Sequence, residues 1–173
     1  MIAIGCFDMT LELQAAVALL HASELHGAML ALLRVLAESL VRGLWLYQCA
    51  TDAELQKFKN GKIDKTFDAL VVDVEAKLGT PGGVLSGFKA SAWTALNGFT
   101  HTGFVQVSRR HAPGKVEATY PDHELAQALD VAGALGMVAA GQLVAMSNSP
   151  SLVKAFSERM AAYGAKRANP QSP

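Results

Sequence analysis

The chain has 173 residues, enough for one domain with a substantial core. Hydrophobic residues make up 51% and charged residues 17%, with 15 basic residues balancing 15 acidic ones. The balance excludes a general electrostatic pull toward nucleic acid or membranes, and the scarcity of charge predicts that much surface is hidden in a core or a subunit interface.

In chain order the pattern is helical throughout. The opening MIAIGCFDMT lacks the basic start and long apolar run of a secretory signal. A first helix is expected over residues 8–21 and a second over residues 24–50, capped by Ser23. Thr51 and Glu54 have capping-box spacing for a short helix through Phe58, and Asn60-Gly61 reads as a turn. Ile63, Phe67, Leu70, Val71, Val74 and Leu78 recur at helical spacing, with Asp64 as N-cap and Gly79-Thr80-Pro81 as stop. After the TPGG turn one helix is expected over residues 86–110, followed by the polar loop HAPGKVEATY. Pro121 opens a helix to Met146, and Ser149-Pro150 starts a last one ending near Gly164.

These elements predict an all-α fold: a single-domain bundle of about five to six helices over residues 1–164, with a disordered tail over residues 165–173. The second helix and the one after Pro121 are the longest apolar segments, so they are expected to face each other at the centre. Gly133, Gly136 and Gly141 would admit a close neighbour there. Residues 131–153 carry no charge and are long enough to span a membrane. Their Ala/Gly content, Gln142 and the terminal SNSP favour a buried core helix instead. Cys6 and Cys49 sit among apolar residues without metal-ligand spacing, which points to free thiols in a reducing cytoplasm.

Candidate functional residues concentrate in two segments. In LLRVLAESLVRGLWLY, Arg34, Glu38 and Arg42 are spaced four and four, so they share one helix stripe with His26 and Leu30 above them. Glu38 can neutralise only one arginine. A partly buried stripe with surplus positive charge requires another acid or an anion. Asp68, Asp73 and Asp130 are the acids available for a purely structural network. An anion such as phosphate is the alternative, because a guanidinium offers it a planar fork. In WTALNGFTHTGFVQVSRRH, Asn97 and His101 stand one turn apart, flanked by Gly98 and Gly103. A histidine there is either a core residue or a general acid–base group working near neutral pH.

No metal site is expected. His21 and His26 are five apart, which on one continuous helix separates them, and His111 and His123 have no cysteine or carboxylate cluster beside them. No cofactor is expected either, since dinucleotide, P-loop and nucleophile-elbow motifs do not occur. Arg109, Arg110, His111 and Lys115 make one basic patch, read as a solvated helix end.

The pattern L-L-R-x-L-x-E-x-x-V-R-x-L-W-L-Y followed by L-N-x-F-T-H-T-G resembles a bacterial family of uncharacterised helical proteins, over roughly residues 10–145. That family is in turn distantly similar to HEPN-type bundles, many of which are RNases of toxin–antitoxin and phage-defence systems. The resemblance implies an up-and-down helical core and a site made of Arg34, Glu38, Arg42 and His101. The HEPN hallmark, an Arg followed after four to six residues by His, does not occur here. Two functions therefore stand side by side. One is a homodimeric interaction or ligand-binding module whose Arg/Glu/Arg stripe is structural or anion-binding, with Asn97 nearby. The other is a metal-independent RNase or nucleotide-binding protein in which His101 is the catalytic group and the arginines stabilise phosphate charge. Neither reading calls for a membrane.

Overall fold

A computed structural model describes residues 2–62 and 65–168. Eight helices and one small hairpin are present among them. The all-α expectation is met, with more helices than the sequence pattern predicts.

Helices α1 (Ile2–Ala22) and α2 (His26–Gln48) form an antiparallel hairpin. α1 starts earlier than expected because Ala3 and Phe7 are buried against α2 and extend its contact face. The two helices approach closely at Gly43, where a Cβ would lie 2.7 Å from Phe7 Cε1. Their connection is tight: Glu24 takes φ 58° and the Leu25 N–H donates to Leu20 O at 2.9 Å. Leu25, not Ser23, precedes α2, and no side chain caps it.

The Thr51–Glu54 capping box forms as expected and starts α3 (Asp52–Lys59). α4 (Phe67–Leu78) is capped by Thr66, whose hydroxyl accepts from the Ala69 N–H, and Gly79 ends it at φ 70°. The expected cap Asp64, and Ile63, lie outside the described residues. α5 (Val84–Thr100) receives its cap from a distance. Glu75 of α4, 3% exposed, accepts bonds from the Ser86 N–H at 2.9 Å and the Ser86 hydroxyl at 2.5 Å.

The expected helix over residues 86–110 is broken in two. Thr102 turns to φ 53° and Gly103 packs on Gly98, so the chain reverses before α6 (Phe104–Ser108). The following loop contains an antiparallel pair, β1 (His111–Ala112) and β2 (Lys115–Val116), turning at Gly114. α7 (Asp122–Met146) and α8 (Pro150–Ala168) complete the described chain. The last turn of α8 takes up residues 165–168 of the expected tail, and residues 169–173 lie outside the description.

α2 is the axis of the fold. It packs most extensively on α1 and also touches α4, α5 and α7. The expected central pairing of α2 with α7 is thus a smaller contact, because α1 occupies the broader face. Leu40, Val41, Leu44 and Trp45 join one core cluster with Phe7, Leu70, Val71 and Val74. Met29, Leu33 and Leu36 join a second with Val17, Leu96, Phe99 and Leu125. α7 is less buried than its apolar sequence suggests: it and α1 are long and apolar enough to cross a membrane, yet in each only 22% of the most apolar window is buried. Its small residues pack one face only. Gly136 is the glycine that matters there, since its missing Cβ leaves the space filled by Gln14.

Candidate functional site

Residues 93, 97 and 101 lie at successive one-turn steps on α5 and its C-cap, on the side that meets α2. The Thr100 hydroxyl ties the two helices together, lying 3.2 Å from Ala31 O and 2.9 Å from Leu96 O. Across this seam Arg34 is held from three directions. Its Nε donates to Glu38 Oε1 at 2.9 Å, its Nη1 contacts His101 Nε2, and its guanidinium lies 5.2 Å from the Trp93 ring centroid. Trp93 stacks in turn on Phe67, with centroids 3.9 Å apart. A guanidinium only donates, so in a hydrogen bond between the two groups His101 Nε2 is the acceptor. Asn97 contributes an enclosed Oδ1 with no hydrogen-bond partner. The seam is not dry: Arg34 and Glu38 are 23% and 27% exposed, and His101 is exposed.

Arg42 goes elsewhere. Each four-residue step overshoots a full helical turn by about 40°, so the eight residues from Arg34 to Arg42 rotate it about 80° around the axis. It lines a separate pocket of about 380 Å³ with Cys6, Met9, Val35, Glu38, Ser39 and Phe58. Its Nε is enclosed and has no acceptor, and it makes no ion pair among the described residues. Glu38 therefore stands between the two arginines, bonded to Arg34 while also lining the Arg42 pocket. The Ser39 and Thr10 hydroxyls both donate to Cys6 O, at 2.9 and 2.8 Å. Burial pushes the Cys6 thiol up, an effect that the Arg42 charge only partly offsets, so the sulfur is a protonated wall of the pocket and not a nucleophile.

The acids expected to answer the surplus charge are engaged elsewhere. Asp68 pairs with Lys89. Asp73 pairs with Lys65 at 2.5 Å and accepts from Trp45 Nε1 at 2.9 Å. Asp130 is exposed on α7. The basic patch is likewise divided, with Arg109 bound to Glu124 at 2.5 Å and Lys115 to Glu117 at 2.6 Å.

His21 and His26, separated by the spacing argument, come together with ring centroids 5.6 Å apart. The helix is not continuous there: α1 ends at Ala22, and the tight turn through Glu24 and Leu25 folds His26 back beside His21. Among the described residues no group of three or more His, Cys, Asp or Glu stands at metal-binding distances. The sequence reading missed Trp93 and Phe67 as the aromatic backing of Arg34. Trp93 lies four residues before Asn97, so extending the α5 stripe by one turn would have found it. Phe67 and Glu75 carried no such local signal.

Residues 7–166 match the model of a family of unknown function, DUF6988. No curated protein and no solved structure matches the chain.

Proposed function

The chain belongs to that family, from which no activity carries over, and we propose from the geometry alone that it is a homodimeric ligand-binding module in which Arg42 receives the anionic group of a small ligand. One observation carries this reading: an arginine Nε–H is enclosed on the wall of a pocket and has no acceptor. A buried donor left unmade costs about 1–3 kcal/mol, and more when it belongs to a charged group. A carboxylate or phosphate oxygen would satisfy it. Met9, Val35 and Phe58 supply the apolar remainder of the wall, and Glu38 offers an acceptor for a hydroxyl or ammonium on the same ligand.

The dimer is supported by exposed apolar surface. Exposed apolar residues on α1 (Ile4, Leu19) and α8 (Leu152, Val153) are the surface a second copy would cover. Asp8 and Glu12, exposed on α1, and Asp130, exposed on α7, favour water or protein over lipid around these helices. A bacterial cytoplasmic setting, with both cysteines free, belongs to the same reading.

The HEPN-like RNase reading has less support. A base for a ribose 2′-hydroxyl needs a free ring nitrogen, and His101 Nε2 is already taken by Arg34. Calorimetric titration with inorganic phosphate and nucleoside monophosphates tests the proposal: wild type binds, Arg42→Met does not, and His101→Ala still does. Equal binding by Arg42→Met overturns the site. A monomer by sedimentation equilibrium at high concentration overturns the dimer.

A further inference from the structure

Among the described residues α5 and α7 each pack on α2 and make little contact with each other. The gap between them is a groove of about 270 Å³, floored by Leu30 and Leu33 of α2. Its walls follow from helix periodicity. Phe88, Ala92, Leu96 and Phe99 come round on one face of α5, and Ala128 and Val131 on the facing side of α7. Ala92 and Ala128 project least, which leaves the space between the walls. The break after α5 closes one end. Thr102 turns the chain back, and Val105 packs so near Gly98 that a Cβ there would lie 3.4 Å from Val105 Cβ. Arg109 thereby reaches the groove from the end of α6 and pairs with Glu124, in the first turn of α7, at 2.5 Å. The Arg109 backbone is held as well: its carbonyl accepts from the Thr119 N–H at 2.8 Å and the Thr119 hydroxyl at 3.1 Å. The groove is therefore apolar along its length and ionic at one end.

Apolar walls favour an apolar occupant, because filling the groove releases the water that wets them. The volume is at the small end of the roughly 300–1,000 Å³ of ligand pockets, which suits a short chain and not a long-chain lipid. The ionic end decides the head group. The Arg109–Glu124 pair carries no net charge, and after pairing the guanidinium keeps spare donors and the carboxylate spare acceptor positions. A hydroxyl or carboxamide can accept from Arg109 while donating to Glu124. A carboxylate has no donor to offer and meets the Glu124 charge. An ammonium has no acceptor to offer and meets the Arg109 charge.

We propose that this groove is a second ligand site, separate from the Arg42 pocket, that takes a small neutral amphiphile. A short aliphatic chain lies over Leu30 and Leu33 between the α5 and α7 walls, and its hydroxyl or amide end bridges Arg109 and Glu124. The ion pair determines head-group specificity, and the two alanines set the width.

The test follows the methyl resonances of Leu33 and Val131 in a ¹³C-methyl-labelled full chain, as straight-chain primary alcohols from butanol to octanol are titrated in. Saturable shifts are expected, with affinity rising about fourfold per added methylene until the groove is full. Octanoate and octylamine should bind at least tenfold more weakly than octanol. Glu124→Gln should turn the preference toward octanoate and Arg109→Gln toward octylamine, a switch that a merely structural ion pair would not produce. Ala95→Phe, at the exposed rim of the groove, should block the alcohols without entering the core. Arg42→Met should bind them as wild type does. Shifts that stay linear with alcohol concentration, or an unchanged alcohol affinity in Ala95→Phe, overturn the site. Equal affinity for the three head groups overturns the role given to the ion pair. Signals that move with protein concentration and not with alcohol mean that a second copy covers the groove, and this too overturns the proposal.

Discussion

Two arginines on one helix stripe should respond to the same substitution with opposite signs. Arg34→Met removes a charged hydrogen bond to Glu38, of a kind that contributes about 1.5–3 kcal/mol when well buried. Exposure of both side chains to about a quarter lets water replace part of that bond. The lost contact with Trp93 adds about 0.5–1 kcal/mol. A net destabilisation of about 1–2 kcal/mol follows. Arg42→Met removes a donor that nothing accepts, while methionine keeps most of the apolar stem packed against the pocket wall. The free protein should gain about 1–2 kcal/mol from losing that unsatisfied group. Thermal unfolding in chloride buffer free of phosphate and sulfate, at one fixed protein concentration, measures both. Melting temperatures should move by about 2–4 °C per kcal/mol, downward for Arg34→Met and upward for Arg42→Met. Destabilisation of both variants by similar amounts would refute the division of the stripe into one satisfied and one unsatisfied arginine.

Glu75 should make the fold acid-sensitive. Burial pushes its carboxyl up, but the bonds from Ser86 and from the Gly83 and Leu85 backbone outweigh this and hold it below its ordinary value of 4.5. A depressed folded value means that the stabilisation is complete above the unfolded value and is lost as pH falls through the folded one. Glu75→Gln should therefore cost about 2–3 kcal/mol at neutral pH and less in acid, checked by denaturation across pH. The pair Arg34→Met with Glu38→Leu should be closer to wild type than the sum of the single changes, because neither charge is left alone; a double-mutant cycle measures the coupling. Gly43→Ala should destabilise by about 1–3 kcal/mol in thermal unfolding, since its methyl group would overlap the fully buried Phe7.

Local signals in the sequence were legible where the structure is local. The Thr51–Glu54 box and the Gly79 stop sit where spacing and residue type put them. Arg34 and His101 meet across the α2–α5 seam, each on a one-turn stripe of its own helix that the sequence spacing displays. Arg42 departs because a four-residue ladder drifts around a helix of 3.6 residues per turn, a twist that the spacing conceals over one step and reveals over two. The break at Thr102 needed a left-handed residue that is not glycine, for which the sequence carries little warning. His21 beside His26 depends on a turn, and the Glu75 cap on a contact eleven residues away. Neither has a periodicity to read.

The Arg42 Nε–H is enclosed without an acceptor, and that hydrogen can be observed directly. In a uniformly ¹⁵N-labelled chain the Arg42 Nε–H signal, identified by its loss in Arg42→Met, should shift saturably when phosphate or a nucleoside monophosphate is titrated. The Arg34 Nε–H signal, already committed to Glu38, should stay in place. An Arg42 signal that remains unmoved, or one that moves only together with Arg34 in proportion to ionic strength, would contradict the proposed site.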